Sequence, residues 1–501
     1  MVRLVLRWYL LAMALMSRLL AAARVAFVPG HLARALLLAV LIILPPARYA
    51  AHGAGTASSD WALPLPVVTG DRTLDGAERI ALGVVAQDAQ DGLHLASPSY
   101  NSPWIRDSFA WGMIPWAGSS GGPLASYSGS ELDYWLQHGQ QDGGWITNIY
   151  SGYYDETPII IAALADSYSL TGDRNALARR ISGAERAWSS LRRHAVEPAH
   201  GSSYLLWADL GAHVATDWAD QVARSGYATG LEALWYHATR SMALLEAALG
   251  RPRTAARYER FATAIAREIN RLLWRTAAPH ARNAHATGAN GHYTAWLGGR
   301  DYFEVDSNAL CILYGIAPPL RSASIVRFLK AHAGYLFGFG NRSALPARAV
   351  YGDYEPADYA RIHYGMGDGI YQNAYWGSVG ALAAMALANT GNGDMALRML
   401  RAIAAGLLRH GNAYEWYRAD GRPSGAAYYQ WPARLYLVAL YTTYLGLNER
   451  WVPRTGRIST ISCLGGGTAV VVRTGHRLRV DVLRAPNRAS GSACQVRARA
   501  S

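Results

Sequence analysis

The segment ETPIIIAALADSYSLTGD, residues 156–173, decides the fold class of this chain. Thr157 followed by Pro158 is a typical start of an α-helix, because threonine caps the first amide groups and proline suits the first helical position. Gly172 follows the apolar run, where glycine commonly ends a helix because it accepts a positive φ. The segment therefore predicts a helix over 157–171.

Similar patterns recur through most of the chain and predict an all-α fold. Residues 231–249 place an apolar stripe along one side of a helix. Residues 428–446 are apolar on almost every side, which is typical of an inner, buried helix. Such segments come mostly in pairs, and paired helices predict a ring in which inner and outer helices alternate around a pocket. The segments are 75–88, 107–117, 130–141, 157–171, 174–194, 228–249, 252–275, 306–315, 322–332, 371–390, 394–409 and 428–446.

Functional residues are expected in the long polar loops between these helices, because loops on a rigid scaffold commonly carry function. The loops that contain both aromatic and acidic residues are 96–106, 198–226, 276–304 and 411–427. Regular β alternation is nearly absent before GTAVVVRTGHRLRVDVLRA, residues 467–485, where Gly475 is the expected turn of a hairpin. The predicted organisation is an N-terminal region 1–57, a helical domain 58–451 and a small C-terminal β appendage within 452–501.

The N-terminal region is predicted to export the chain or to anchor it to a membrane. ALLLAVLIIL, residues 35–44, is too short to span a bilayer but suits the apolar core of a signal peptide. Cys463 and Cys494 are compatible with a disulfide in an oxidising compartment. Cys311 lies in an apolar helical run and is predicted to be a buried free thiol.

The formal charge of +13 is confined to the two ends of the sequence. Residues 1–50 carry six Arg and no acidic residue, and residues 452–501 carry nine Arg and one Asp. The rest of the chain is close to neutral, which argues against a nucleic acid partner, because binding to nucleic acid is dominated by contacts between cations and phosphates. No spacing typical of metal ligands occurs, so we expect no catalytic metal and no cofactor.

The aromatic composition favours a carbohydrate substrate. The chain has 17 Trp and 30 Tyr but only 7 Phe. Trp and Tyr combine a flat apolar face with a hydrogen-bonding edge, as a half-wet cleft requires. Sugars present the matching surface, with C–H faces and hydroxyl rims. Most of these rings are nevertheless expected to pack between helices.

Two short motifs place charged residues at helix entrances. SPWIRDSFAWGMI, residues 102–114, brings Trp104, Arg106 and Asp107 together, either as a local cap and ion pair or as a clamp on sugar hydroxyls. In GYYDETP, residues 152–158, Thr157 already serves as the predicted cap. Asp155 is therefore free to face the pocket.

The segment VATDWADQVARSGYATGLEALWYHATRSM, residues 214–242, crowds acids and indoles at the mouth of a helix. Asp220 follows Trp218, and packing against an indole would raise the pKa of the carboxyl, as a general acid needs. Glu232 and Trp235 lie in the first turns of the helix that follows, and both are candidates for contact with a substrate.

Glu415 is bracketed by Tyr414 and Trp416 ahead of a Gly-rich segment. A carboxylate in an aromatic cleft is suited to hold and deprotonate a water molecule. Asp220 and Glu415 on facing loops would supply the two acids that glycoside hydrolysis requires. Asp220 is expected to titrate above Glu415, because it is the residue that must keep a proton.

The order of these motifs resembles the six-hairpin glycosidases, which are (α/α)6 barrels, and most closely the amylo-α-1,6-glucosidase family of glycogen-debranching enzymes. The resemblance is collinear over about residues 100–446. The matching motifs are WIRDS (104–108), WAD (218–220), LEALWYHA (231–238), VDSNAL (305–310), YQNAYW (371–376) and YEWYRADGRPSGAAYYQW (414–431). The family's first motif has Gly before Arg, whereas Ile105 stands here.

The resemblance implies an inverting glycosidase with Asp220 as general acid and Glu415 as general base. It also implies that the sugar is contacted by Arg106, Asp107, Asn308, Trp376 and Gln430. Other candidates for substrate contact are Trp104, Asp155, Trp218, Glu232, Trp235 and Trp431. The expected substrate is an oligosaccharide or polysaccharide with an α-glucosidic bond. A uronyl or mannosyl hydrolase of the same ring remains an alternative, as does a non-catalytic glycan-binding protein. A polysaccharide lyase is disfavoured because its Tyr/His or Arg constellation cannot be assembled.

Overall fold

The structure, a computed structural model, describes most of the helical domain and the strands of the C-terminal tail. The described residues are 71–90, 93–100, 103–113, 123–139, 144–147, 153–209, 216–282, 291–338, 345–361, 365–444, 456–462, 468–474, 477–484 and 495–496. The predicted export or anchor region 1–57, Gly475, Cys463 and Cys494 lie outside them. Within the described ranges, no helix is both long and apolar enough to cross a membrane.

Helices dominate the described part of the chain. They are α1 (Arg72–Gln87), α2 (Ile105–Phe109), α3 (Pro123–His138), α4 (Glu156–Thr171), α5 (Arg174–Ala195), α6 (Thr229–Ala248), α7 (Pro252–Leu272), α8 (Val305–Leu313), α9 (Pro319–Ala331), α10 (Ala333–Leu336), α11 (Gly377–Asn389), α12 (Gly393–His410) and α13 (Gln430–Ala439). Each of the twelve predicted segments overlaps one of these helices. A π-helical turn, Leu440–Tyr444, extends α13.

Six of the helices contact one another in a closed cycle. Helix α2 packs on α4, α4 on α6, α6 on α8, α8 on α11, α11 on α13, and α13 again on α2. The neighbouring helices pack outside this cycle: α3 and α5 contact α4, α7 contacts α6, and α12 contacts α11. In sequence, members of the cycle alternate with helices that are not members of it, except that α9 and α10 follow one another.

Burial separates the two groups of helices in the way that the apolar patterns predict. In α11, every residue from 377 to 387 is buried, as expected for a helix surrounded by others. In α7, the buried residues Ala255, Tyr258, Ala262, Ile265 and Ile269 recur every three or four positions, so a single face meets the core. Cys311 on α8 is a buried free thiol, as predicted.

The start of α4 differs from the prediction. The helix begins at Glu156, and the N-cap position belongs to Asp155, whose side chain makes no capping hydrogen bond. Thr157 lies inside the helix, where its Oγ1 donates to the carbonyl of Ile146 at 2.8 Å and accepts from the amide of Ile146 at 2.7 Å. Thr157 therefore ties the helix to a distant segment, and the carboxyl of Asp155 is not used as a cap.

Short antiparallel strands connect the helices. They are β1 (Ala89–Gln90), β2 (Leu93–His94), β3 (Trp274–Arg275), β4 (His292–Tyr293), β5 (Ala347–Arg348), β6 (Tyr375–Trp376), β7 (Tyr414–Tyr417) and β8 (Pro423–Ala427). Strands β5, β6, β7 and β8 form one sheet in that order. The prediction that residues 411–427 form a loop is wrong, because this segment contains the β7–β8 hairpin. Tyr414 pairs with Ala427, and a bulge interrupts the register between Tyr414 and Trp416.

The C-terminal tail contains four strands, in the region where the sequence predicts a small β appendage. They are β9 (Gly456–Ser462), β10 (Thr468–Thr474), β11 (Arg477–Arg484) and β12 (Gln495–Val496). All neighbours are antiparallel, and the order in the sheet is β11-β10-β9-β12. Strands β10 and β11 are the two predicted arms of a hairpin.

Candidate active site

Asp220 lies in the segment between α5 and α6, at the surface of a cleft. Its side chain is 21% exposed. The hydroxyl of Tyr371 donates a hydrogen bond to Oδ1 at 2.9 Å, and the guanidinium of Arg361 lies 3.3 Å from Oδ2. Each oxygen of this carboxyl therefore has its own partner.

Glu415 lies on β7, in the hairpin that was predicted as a loop, and it is buried with 2% exposure. Its Oε2 accepts hydrogen bonds from the hydroxyl of Tyr100 at 2.9 Å and from the amide of Ala426 at 3.0 Å. Gly425 is required beside it: a Cβ there would stand 2.8 Å from Cβ of Glu415, and the φ of +70° favours glycine. The hairpin can fold over the carboxyl only because position 425 has no side chain.

Burial raises the pKa of both carboxyls, but their charged neighbours act in opposite directions. At Asp220, the cations Arg106 and Arg361 and the hydroxyl of Tyr371 counteract the effect of burial on the pKa. At Glu415, burial together with the charges of Asp107 and Asp220 raises the pKa to about 7 against two hydrogen bonds. The charge of Asp220 acts on Glu415, so the two carboxyls lie within electrostatic range of one another.

Trp218 has a hydrogen-bond partner other than Asp220. The Nε1 of Trp218 donates to Oδ2 of Asp306 at 2.8 Å, and its ring packs among other tryptophans. Burial raises the pKa of Asp220, and the charged groups that act on it are the cations of Arg106 and Arg361, which lower that pKa. The free site therefore gives no support to the expectation that Asp220 titrates above Glu415.

The WIRDS motif forms the part of the pocket next to both acids. Arg106 is buried; its guanidinium lies 4.3 Å from the ring centroid of Tyr153 and 5.9 Å from that of Trp104. Its Nε lies 3.3 Å from Oδ2 of Asp155, so the ion pair links two motifs that are distant in sequence. Asp107 is hydrogen-bonded to the hydroxyl of Tyr429. These residues meet as the sequence predicts.

Several buried polar atoms of this part of the pocket have no hydrogen-bond partner among the described residues. They are Nη2 of Arg106, Oδ1 of Asp107 and both carboxyl oxygens of Asp155. Burial raises the pKa of Asp107 and of Asp155 to about 6, against the opposing charge of Arg106. Buried donors and acceptors are normally paired, so this set is suited to the hydroxyl groups of a bound ligand.

Four tryptophans form one cluster beneath the pocket: Trp111, Trp218, Trp376 and Trp431. The centroids of neighbouring rings lie between 4.5 Å (Trp111–Trp431) and 6.1 Å (Trp111–Trp218) apart, mostly edge to face. Trp111 and Trp218 also line a small cavity together with Asp155. Burial of these large rings excludes water and makes a rigid base for the site.

Backbone strain is concentrated around the same pocket. Among the described residues, only five other than glycine have a positive φ: Ala110, Trp111, Asp353, Tyr371 and Tyr428. Trp111 belongs to the tryptophan cluster, Tyr371 binds Asp220, and Tyr428 precedes the tyrosine that binds Asp107. A positive φ at a residue with a Cβ is unfavourable and tends to occur at functional sites. The strain thus independently marks this pocket.

Two predicted substrate contacts have structural partners instead. Glu232 is completely buried, and its Oε1 accepts from the amide of Leu206 at 2.9 Å. Trp235 stacks on Trp188 with centroids 5.1 Å apart, and its Nε1 donates to the carbonyl of Tyr204 at 3.1 Å. Both side chains anchor the segment before α6 to that helix. Oε2 of Glu232 has no hydrogen-bond partner among the described residues, and the assignment of both side chains to the sugar stays a prediction.

Asn308 and Gln430 are also occupied by structural contacts. The amide group of Asn308 bonds both the amide and the carbonyl of Tyr293, and it also donates to the carbonyl of Glu304. Asn308 therefore joins β4 to α8 and has no donor left for a sugar. Gln430 is buried, and its Oε1 accepts from Nε of Arg434 at 2.5 Å. The contact with Arg434 ties Oε1 of Gln430 to its own helix, whereas its buried Nε2 has no hydrogen-bond partner among the described residues.

Sequence reasoning missed the tyrosines and the arginine that hold the two acids. Tyr100, Tyr371 and Tyr429 contact Glu415, Asp220 and Asp107, respectively. Arg361 contacts Asp220 from a segment 141 positions away. The clustering of tyrosine in YYQW (428–431) and YQNAYW (371–376) was a usable signal, but nothing around Arg361 distinguishes it from other arginines.

No protein-family model and no curated protein matches the sequence. The fold is similar to that of a GH63 mannosylglycerate hydrolase from Thermus thermophilus, solved in complex with Tris and D-glycerate. That match has a TM-score of 0.52 at 16% identity and covers 72% of this chain and 99% of the other.

Two larger glycosidases have a similar fold over part of their length. A GH78 family rhamnosidase of Bacillus sp. GL1 matches with a TM-score of 0.56 at 15% identity, over 83% of this chain and 41% of the other. A Streptomyces avermitilis α-L-rhamnosidase, complexed with L-rhamnose, matches with a TM-score of 0.53 at 14% identity. The match covers 83% of this chain and 36% of the other. This chain therefore has a mostly helical fold, with a small sheet, that it shares with glycoside hydrolases.

Proposed function

We propose that this protein is an inverting glycoside hydrolase in which Asp220 is the general acid and Glu415 the general base. The observation that carries the proposal is that two carboxyls from distant segments lie within electrostatic range of one another, and that each accepts a hydrogen bond from a tyrosine hydroxyl at 2.9 Å. Paired carboxyl groups are the usual catalytic equipment for breaking a glycosidic bond.

The proposed architecture is an (α/α)6 barrel, with the site at one end of the ring. The closed cycle of α2, α4, α6, α8, α11 and α13 supports it, as does the packing of the remaining long helices outside that cycle. Similarity of fold to a mannosylglycerate hydrolase and to two rhamnosidases is consistent with the same arrangement. In such a ring, loops from different hairpins bring Asp220 and Glu415 to a common pocket.

In the proposed reaction, Asp220 donates its proton to the glycosidic oxygen as the bond from that oxygen to the anomeric carbon breaks. A water molecule held by Glu415 attacks the anomeric carbon from the opposite face and gives one proton to Glu415. Asp220 ends ionised and Glu415 protonated, so exchange of protons with solvent restores the starting state.

The remaining polar groups suit the binding of a sugar ring. Nη2 of Arg106 can donate to a hydroxyl, whereas Oδ1 of Asp107 and the carboxyl of Asp155 can accept. The apolar C–H faces of a sugar match the aromatic rings of Trp104 and Tyr153, which lie 6.4 Å apart. Hydroxyl partners would satisfy atoms whose burial is otherwise costly.

The proposed substrate is an oligosaccharide or polysaccharide with an α-glucosidic bond, as the resemblance to amylo-α-1,6-glucosidases implies. Hydrolysis of a mannosyl or uronyl bond is the second candidate, and similarity to a mannosylglycerate hydrolase favours it. We also propose that the chain acts after export. The apolar run at 35–44 supports this localisation.

A glycan-binding protein without catalysis is the rival from another class. Such a protein would need the aromatic pocket but neither acid. A hydrolysis screen of a glycan panel with the purified full-length chain separates the two. Hydrolysis that Glu415→Gln abolishes supports the enzyme, whereas binding of glycans without hydrolysis would favour the rival.

A further inference from the structure

Arg361 is built into the site by backbone pairing between its own segment and that of Asp220. The amide of Ala223 donates to the carbonyl of Asp358 at 2.7 Å, and the amide of Ala360 donates to the carbonyl of Gln221 at 2.8 Å. Arg361 itself donates from Nε to the backbone carbonyl of Asp220 at 3.0 Å and from Nη2 to its carboxyl. The guanidinium is therefore held beside the acid by several independent contacts.

The position of Arg361 corresponds to the leaving-group side of Asp220. Tyr371, which binds Oδ1, packs inward against the rings of Trp376 and Trp416. Arg361 approaches the other oxygen, Oδ2, and its side chain is 40% exposed. A general acid protonates the oxygen of the leaving group. Because Arg361 lies next to the proposed acid, it is also near the leaving group on which that acid would act.

In the free site, Asp220 forms an ion pair with Arg361, whereas the proposed reaction requires a protonated Asp220. A general acid must carry a proton, and a protonated Asp220 no longer compensates the charge of Arg361. Among the described residues, Asp220 is the sole ion-pair partner of Arg361, whereas Arg106 keeps Asp155. Tyr153 and Glu415 also face Asp220, and neither supplies a second counter-ion at Oδ2. Protonation of Asp220 therefore leaves the half-exposed guanidinium of Arg361 to water or to an anionic group of a bound substrate.

We propose that Arg361 is a specificity-determining residue that binds a carboxylate on the leaving group of the substrate. The inference rests on the proposed glycosidase function and narrows its substrate class. Arg361 already binds the carboxyl of Asp220 in the free protein. Its planar guanidinium is equally suited to bind a carboxylate of the substrate in place of that carboxyl. When the substrate's carboxylate takes the place of Asp220, the acid is released to take up its proton from solvent. Recognition of the leaving group and protonation of the acid are then coupled.

A pair of glycosides that differ in a single charge tests the proposal. The glycone is the sugar that the hydrolysis screen selects, and the leaving group is either carboxymethyl or the isosteric, neutral carbamoylmethyl. We expect kcat/KM to be at least about 10-fold higher for the carboxymethyl glycoside, because hydrogen bonds between charged groups are among the stronger ones. We also expect activity on the carboxymethyl glycoside to persist to higher pH.

Arg361→Gln should reduce the ratio of the two kcat/KM values to about 1 and remove the difference in pH dependence. Arg361→Lys keeps the charge without the planar fork, so it should give an intermediate ratio. The matched control is Arg240→Gln, because Arg240 is 49% exposed and pairs with Glu259 at the same 3.3 Å. This control should keep the ratio of the unmodified protein. Thermal unfolding of each variant checks the fold.

The outcomes separate this inference from the function on which it rests. Hydrolysis of the carbamoylmethyl glycoside that Glu415→Gln abolishes would support the glycosidase, whatever the ratio. A ratio of 1 or less in the unmodified protein would overturn the role of Arg361 alone, and so would an unchanged ratio in both Arg361 variants. Failure to hydrolyse any glycoside would overturn the proposed function, and this inference with it.

Discussion

Tyr100 donates a hydrogen bond of 2.9 Å to Oε2 of Glu415, although 315 positions separate the two residues. The same oxygen also accepts from the amide of Ala426. One carboxyl oxygen of Glu415 is thus fixed by two donors. A carboxylate that is oriented in this way can direct its second oxygen at a water molecule.

Tyr100→Phe tests the importance of this orientation. A hydroxyl that donates to a carboxylate favours the ionised form and lowers its pKa, so removal of the hydroxyl should raise the pKa of Glu415. The ionised base would then be lost at a higher pH, and kcat/KM at pH 6 should fall by about 2- to 10-fold, the usual value of one hydrogen bond. Tyr236→Phe, which removes a hydroxyl bonded to Arg240 instead, is the control. Identical pH profiles for the two variants would contradict the role of Tyr100.

The pH dependence of the unmodified protein follows from the same carboxyl. Burial raises the pKa of Glu415 to about 7. Below this pH the proposed base is protonated and inactive, so kcat/KM for a substrate whose leaving group needs no general acid should rise with pH through about 7. Steady-state kinetics between pH 5 and 9 measure the limb. A rate that is constant over pH 5–7 would argue against Glu415 as the base.

Asp220→Asn and Glu415→Gln should each lower kcat by at least about 10²-fold, the lower range for loss of a general acid or base. Neither substitution removes much volume, so circular dichroism should be unchanged. Asp133→Asn, on an outer helix and paired with Arg180, is the control and should keep full activity. Normal turnover by either active-site variant would mean that the assignment is wrong.

Gly425→Ala should displace the side chain of Glu415 without replacing its carboxyl group. The added Cβ would meet Glu415 and Trp416, and alanine at a φ of +70° costs about 1–2 kcal/mol of stability. Gly411→Ala is the matched control, since φ is +61° there and the added Cβ would meet nothing within 4 Å. Both variants should lose stability in denaturant unfolding, but only Gly425→Ala should also lose kcat. Equal kcat values would show that the close approach at 425 is unimportant.

The helices were predictable because their signals are local, whereas no local signal sets the distance between Asp220 and Glu415. Gly172 ends α4 where the sequence indicates, and it has a positive φ. Trp218 and Asp220 closely follow Asp217, which pairs with Arg224 and keeps that turn rigid. The local geometry of such a motif follows from its own residues. The sequence leaves open mainly where the motif lies in the fold.

Roles that depend on distant partners were not predictable. From the sequence alone, Glu232 and Asn308 are both candidates for contact with a substrate. The fold brings Leu206 beside Glu232 and Tyr293 beside Asn308, and each pair forms a hydrogen bond. Strand β7 escaped notice because its residues Tyr414–Tyr417 lie in a hairpin with a bulge, which breaks the alternation of period two. Arg361 acquires its partner only through the backbone pairing of its segment with 220–223.

The stereochemistry of the product separates mechanisms that use the same two carboxyls. An inverting enzyme keeps its carboxyls about 6.5–9.5 Å apart to admit a water molecule, whereas a retaining enzyme holds them about 5–5.5 Å apart and attacks the sugar directly. Asp220 and Glu415 are each bonded to a different tyrosine, and they affect one another electrostatically without a hydrogen bond between them. Both features favour a gap that contains water. The first product released from an α-linked substrate should therefore be the β-anomer in a time-resolved NMR spectrum, and an initial α-anomer would exclude the inverting mechanism while leaving the position of the site intact.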